Sequence, residues 1–195
     1  MAPRTDPERA HSSASTRVIG LAGWSGAGKT TLLCRLIPAL RARGLRISTL
    51  KHAHHSFDVD RPGKDSWEHR QAGAEEVLVA SAARWALMHE LRGEAEPGLP
   101  VLLARMRAVD LIIVEGFKRE NHPKIEVYRA ANGKPFLYPG DPSIIAVAAD
   151  VTLDPATSGR AIPVHHLDDI NGIADIVQSC AMPLDDIYWS KQSDE

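Results

Sequence analysis

The string Gly23-Trp-Ser-Gly-Ala-Gly-Lys-Thr30 lies between a short apolar run and a helical pattern, and it fits G-x-x-x-x-G-K-[ST]. Its chemistry narrows the choice of fold. Glycines reach backbone angles that turn successive N–H groups inward around a phosphate. The helix that follows aims its N-terminal partial positive charge at the same point. Lys29 sets a full charge beside the outer phosphates, and the Thr30 hydroxyl is a hard oxygen ligand suited to magnesium. Gly23, Ser25, Gly26, Ala27, Gly28, Lys29, Thr30 and Thr31 are therefore the candidate nucleotide-binding residues, with Thr31 directed to the α-phosphate. The loop needs a strand leading into it and a helix leading out.

The flanking residues meet that demand. Residues 17–22, Arg-Val-Ile-Gly-Leu-Ala, read as a strand buried on both faces. Leu32, Leu33, Leu36, Ile37 and Leu40 then recur at helical spacing, which predicts a helix over 30–43 with a stop at Gly44 and a kink or short break at Pro38. Further strands are expected at 45–50, 110–114, 124–128, 144–147 and 162–164, with helices over 65–74, 99–106 and 170–180. In the last helix, Ile173, Ile176 and Val177 are expected to face inward. Residues 76–80 and 84–89 resemble a hairpin at the sheet edge. This alternation predicts an α/β fold, a three-layer P-loop NTPase domain with a mostly parallel sheet and a β-hairpin at its edge. No repeat or linker divides 17–180. Residues 1–16 read as a disordered leader and 181–195 as a loose tail, with Trp189 as a docking point.

Composition sets the surroundings. The 195 residues can bury a real core, and the net charge of −2 lacks the basic footprint of a nucleic-acid binder. No apolar stretch is long enough to span a bilayer, and the polar N-terminus has no signal-peptide core. Cys34 and Cys180 are not spaced as a metal knuckle. Cys34 stands among Leu32, Leu33 and Leu36, which predicts a buried free thiol. A reducing cytoplasm fits this pattern.

A phosphate loop of this kind needs a carboxylate beside its magnesium, at the end of a neighbouring strand. Asp110 opens the strand 110–114 and Glu115 closes it. Ligands bind beyond the carboxyl ends of strands, which favours Glu115 as both metal ligand and catalytic group and leaves Asp110 to a cap or salt bridge. Gly116 would let the backbone approach the γ-phosphate. Lys51-His-Ala-His-His-Ser-Phe-Asp-Val-Asp60 leaves the same edge after the second strand. Lys51, His52 and His55 suit phosphate contacts, while His52, His54 and His55 together suggest a transition-metal alternative. Asp58, Asp60 and Asp65 could hold the magnesium water shell or activate water, and Asp65 could equally cap the helix after it. Trp24 covers a phosphate, packs on a partner or has a simple packing role.

These segments together resemble the MobB family of molybdopterin-guanine dinucleotide biosynthesis adaptors. The resemblance rests on Gly23–Thr30, Lys51–Ser66, His69-Arg-Gln-Ala-Gly-Ala74 and Asp110-Leu-Ile-Ile-Val-Glu-Gly-Phe-Lys118, and it spans about 17–177. It implies a homodimeric P-loop GTP-binding protein with weak Mg-dependent GTPase activity. It also implies a partnership with the guanylyltransferase that joins GMP to molybdopterin, with molybdopterin itself as a further candidate ligand. It carries Gly26, Gly28, Lys29 and Thr30 over as phosphate and magnesium contacts and Glu115 as the second acidic motif. One departure concerns the base. No Asn-Lys-x-Asp guanine reader is present. Asp150, at the end of Ile145-Ala-Val-Ala-Ala-Asp150, either accepts from guanine or caps a turn. Two other functions stay open: a small-molecule kinase on the same fold, which needs an acceptor pocket and a lid, and a metal-delivery GTPase.

Overall fold

A computed structural model describes residues 16–53, 57–152 and 160–189. These described residues fall into two compact units, one holding those up to 52 and from 102 onward and the other those between 53 and 101. The second unit begins in the polar histidine- and aspartate-bearing run after residues 45–50 and ends beyond the glycine- and proline-bearing stretch 93–100.

In the first unit, β1 (Arg17–Ala22), β2 (Ile47–Lys51), β5 (Leu111–Glu115), β6 (Lys124–Tyr128), β7 (Ile144–Ala149) and β8 (Val164–His166) form a sheet in the order β2-β5-β1-β6-β7-β8. All these pairings are parallel. Strand β1 is central, and its residues from Val18 to Ala22 are buried, as a two-sided parallel strand requires. Helix α1 (Lys29–Ala42) follows β1, and α4 (Ile170–Cys180) packs beside it. Ile19, Leu21, Leu36, Leu40, Ile113, Ile125, Ile173 and Val177 form the core beneath them. Each such side chain contributes roughly 1.5–3 kcal/mol relative to exposure. Arg43 joins the two helices through Asp175 at 2.6 Å.

The opposite face of the sheet is partly polar. Glu126 is fully buried and accepts from the N–H groups of Leu137 and Tyr138 at 2.8 and 2.9 Å. Lys124 is buried against Asp141 and Ser143. His122 is 3% exposed, and neither ring nitrogen has a hydrogen-bond partner. It explains Gly20 within β1: a Cβ there would stand 2.4 Å from His122 Nε2.

Several expectations are corrected. The short break is not made at Pro38: helix α1 continues through it from Lys29 to Ala42, with the proline forgoing its own N–H bond. Cys34 is exposed, not buried. Leu32 and Leu36 turn to the core, and a residue two places from each falls on the other side of the helix. The tail is ordered as far as it is described. Strand β9 (Met182–Pro183) pairs antiparallel with β1, and α5 (Leu184–Trp189) buries Leu184 and Ile187. Leu184 N–H also donates to the carbonyl of Thr16, a fully buried residue. Residues 1–15 of the expected leader lie outside the described residues.

The second unit holds α2 (Asp65–Gln71), β3 (Glu76–Ala80) and β4 (Trp85–His89). The hairpin forms as expected, but it pairs as a two-stranded sheet of its own. It exposes Leu78, Leu87 and Trp85. Helix α3 (Leu99–Ala104) spans the junction. No helix among the described residues is long and apolar enough to cross a membrane.

Candidate functional site

The phosphate loop leaves the carboxyl end of β1 at the centre of the sheet and opens α1. Gly23, Gly26 and Gly28 take φ of +141°, +79° and +94°, a region that disfavours side chains. A Cβ on Gly23 would stand 2.4 Å from the carbonyl oxygen of Val127, so the first glycine is fixed by space as well as angle. Ala27 is buried beneath the loop, while Ser25, Thr30 and Thr31 are exposed. Lys29 Nζ donates to the carbonyls of Gly23 and Trp24 at 2.9 and 3.0 Å, which stretches its side chain across the loop. Burial holds its ammonium below the ordinary lysine range; Glu115 opposes that shift, and Lys118 and Lys51 add to it. A phosphate would relieve the cost of this desolvated cation.

Glu115 is buried at the carboxyl end of β5, the strand beside β1. Its Oε1 lies 3.5 Å from Lys51 Nζ. His52 N–H donates to the Glu115 carbonyl at 2.8 Å, and the His52 and Phe117 rings lie 4.9 Å apart. Gly116 has φ +100°, and a Cβ there would meet His52 Cβ at 2.6 Å. Asp110 sits at the other end of β5, where Arg46 holds both its oxygens, at 3.0 and 3.2 Å. Of the two candidate carboxylates, only Glu115 leaves the edge that carries the phosphate loop.

Donor chemistry and shape therefore fit a magnesium–triphosphate. The inward-turned loop, Lys29 and the hydroxyls of Thr30 and Thr31 would hold the phosphates, and Thr30 and Glu115 offer hard oxygens for magnesium. The metal would supply charge neutralisation on the phosphate oxygens.

The remaining candidates divide. Asp150, at the end of β7, accepts from Ala130 N–H at 2.9 Å and so caps the short 3-10 turn Ala130–Asn132. It also lines an open cavity of about 580 Å³ with Val151, Thr152, Val164 and His166. Trp24 packs within the fold: its Nε1 donates to Pro135 O at 2.8 Å, with Lys118 Nζ 5.1 Å from the ring. In the second unit, Asp60 accepts from Ser66 Oγ at 3.0 Å and faces Arg70, whose guanidinium also grips Asp58 and Glu90. Those contacts hold the Asp58 carboxyl below its usual range, the Asp60 backbone N–H first and Arg70 next. Asp65 is the first residue of α2, not its cap; it complements the helix dipole without a capping bond. His54 and His55 lie outside the described residues; among the described residues no group of three His, Cys, Asp or Glu is placed to hold a metal.

Two residues escaped the sequence reading. Asn132 Nδ2 donates to Ser25 O at 3.1 Å and steadies the loop. Arg129 lies against Gly28. Its position directly after β6, at the edge where ligands bind, was the available signal.

Comparison with known proteins agrees with this geometry. The family model described as MobB, molybdopterin guanine dinucleotide synthesis protein B, matches residues 18–150. The Escherichia coli K12 molybdopterin-guanine dinucleotide biosynthesis adapter protein is 48% identical over 163 residues, 82% of this chain and 90% of that one. The Haemophilus influenzae adapter protein is 42% identical over 137 residues, 70% and 76% of the two chains. A crystal structure of molybdopterin-guanine biosynthesis protein B superposes with a TM-score of 0.65 at 29% identity, covering 83% of this chain and 97% of the other. With its glycine-rich loop after β1 and Glu115 at the end of β5, the chain belongs to the MobB family.

Proposed function

We propose that this protein is a GTP-binding adaptor for the synthesis and delivery of molybdopterin-guanine dinucleotide, with slow Mg-dependent hydrolysis that times its association with partners. The observation that carries the nucleotide part is Lys29 drawn across the Gly23–Thr30 loop, with Glu115 at the end of the adjacent strand. The adaptor part rests on the family and on relatives named as adapter proteins of this pathway. Lys29, Thr30 and Glu115 act on the triphosphate and its magnesium, Asp60 takes part as a catalytic carboxylate, and Asp150 reads the base. The guanylyltransferase is the protein partner, molybdopterin a further ligand, and the working form a homodimer. The exposed apolar pair Leu78 and Leu87 suits that last assignment. Two exposed free thiols fit the reducing cytoplasm.

Titration with GTP and ATP in the presence of magnesium tests the proposal, followed by turnover of each with and without the guanylyltransferase. The expected result is preferred GTP binding and slow turnover that the partner alters. Tight ATP binding without a partner effect would move the assignment to a small-molecule kinase.

A further inference from the structure

We propose that Arg129 is a second phosphate anchor, gripping the α- and β-phosphates of the nucleotide from the β6 side of the loop. This rests on the nucleotide-binding reading of Gly23–Thr30.

Arg129 is the first residue after β6, the strand that flanks β1 opposite β5. It is half-buried. A Cβ on Gly28 would stand 2.8 Å from its Nε and 3.4 Å from its second terminal nitrogen, so the guanidinium lies against the phosphate loop itself. Among the described residues its guanidinium makes no hydrogen bond or ion pair, while its backbone carbonyl accepts from Asn132 N–H at 3.1 Å. Asp168 is near enough to feel its charge, but that carboxylate is bound by Arg35 at 2.7 Å. A partly desolvated guanidinium without a partner is costly, and a phosphate offers it two coplanar acceptors.

The flank identifies the phosphates. Glu115 and Gly116 come from β5, so the magnesium and the terminal phosphate belong on that side of β1. The rest of the nucleotide must then run the other way, over β6 and β7. There Asp150, Thr152 and His166 line the open cavity. Arg129 follows the strand between the phosphate loop and that cavity. It is placed for the inner phosphates, which GTP and GDP share, and away from the γ-phosphate that an arginine finger would serve.

Equilibrium binding of GTP and GDP to the full chain, wild type against Arg129→Ala and Arg129→Lys, tests this. Arg129→Ala is expected to weaken both nucleotides by the same factor, roughly tenfold or more, at an unchanged melting temperature of the nucleotide-free protein. Arg129→Lys should recover only part of the loss, because an ammonium cannot bind two oxygens in a plane. A loss confined to GTP would overturn the inference in favour of a γ-phosphate contact. Unchanged affinities would overturn it outright, as would a loss matched by a drop in the apo melting temperature. If the wild type bound neither nucleotide, and Lys29→Ala were no different, the phosphate-loop reading would fail and Arg129 with it.

Discussion

Lys51 and Glu115 end adjacent parallel strands in direct register, and their charged groups meet at 3.5 Å. The lysine is well exposed and the carboxylate is buried. The pair therefore supplies little stability, but it holds the Glu115 side chain at the edge where the phosphate loop opens. Lys51 also adds to the field that disfavours the charge of Lys29. A bound magnesium–triphosphate would answer all three groups together.

Replacing Glu115 with Gln keeps the shape and removes the charge. Nucleotide binding should survive, while GTP turnover falls roughly 10–100-fold and needs more magnesium for half-maximal rate. Steady-state hydrolysis across a magnesium titration reads this out. Equal turnover by the variant and the wild type would count against the strand-end assignment.

Lys29→Ala should weaken triphosphate binding roughly 10–100-fold, since a charge-assisted contact in a partly buried site is lost. The wild type adds a pH signature. Its ammonium gives up a proton below the ordinary lysine pKa of 10.5, mainly through burial. GTP affinity should accordingly fall as pH rises through that lowered value. Bound phosphate favours the charged form, so binding should take up a proton in the same window. Calorimetry in buffers of different ionisation heat measures the uptake. Parallel pH profiles for wild type and Lys29→Ala would exclude Lys29 as the source.

His122 predicts an acid limb of stability. Burial, aided by the charge of Lys124 and opposed by Asp141, pushes its imidazole down to about 4. The unfolded chain protonates this residue near 6.5 and so binds more protons between those values. The neutral-histidine contribution is complete above 6.5 and is lost as pH falls toward 4. Between pH 7 and pH 5 the loss from this residue is about 2 kcal/mol. Urea unfolding at the two pH values should show it, and His122→Leu should flatten the difference. An acid limb unchanged in that variant would assign it to other groups.

The candidate site was legible as a motif because its parts are local. Eight consecutive residues set the loop, and the strand and helix around it follow from the spacing of Leu21, Leu32 and Leu36. Glu115 could be chosen over Asp110 because parallel strands leave their ligands at one edge. Asp110 then proved to be the anchor of Arg46, 64 positions away in sequence. No spacing rule predicts such a partner, and the same holds for Glu126 beneath Leu137 and Tyr138.

By itself the sequence determined the phosphate loop, the α/β alternation, the strand that ends in Glu115 and the family, because each is written in neighbouring residues or in a short period. Tertiary structure alone decided the strand order, the return of Met182–Pro183 to β1, the division at 53 and 101, and the placing of Arg129 against Gly28. Those depend on which distant segments exclude water together, and packing free energy is not encoded at any one position.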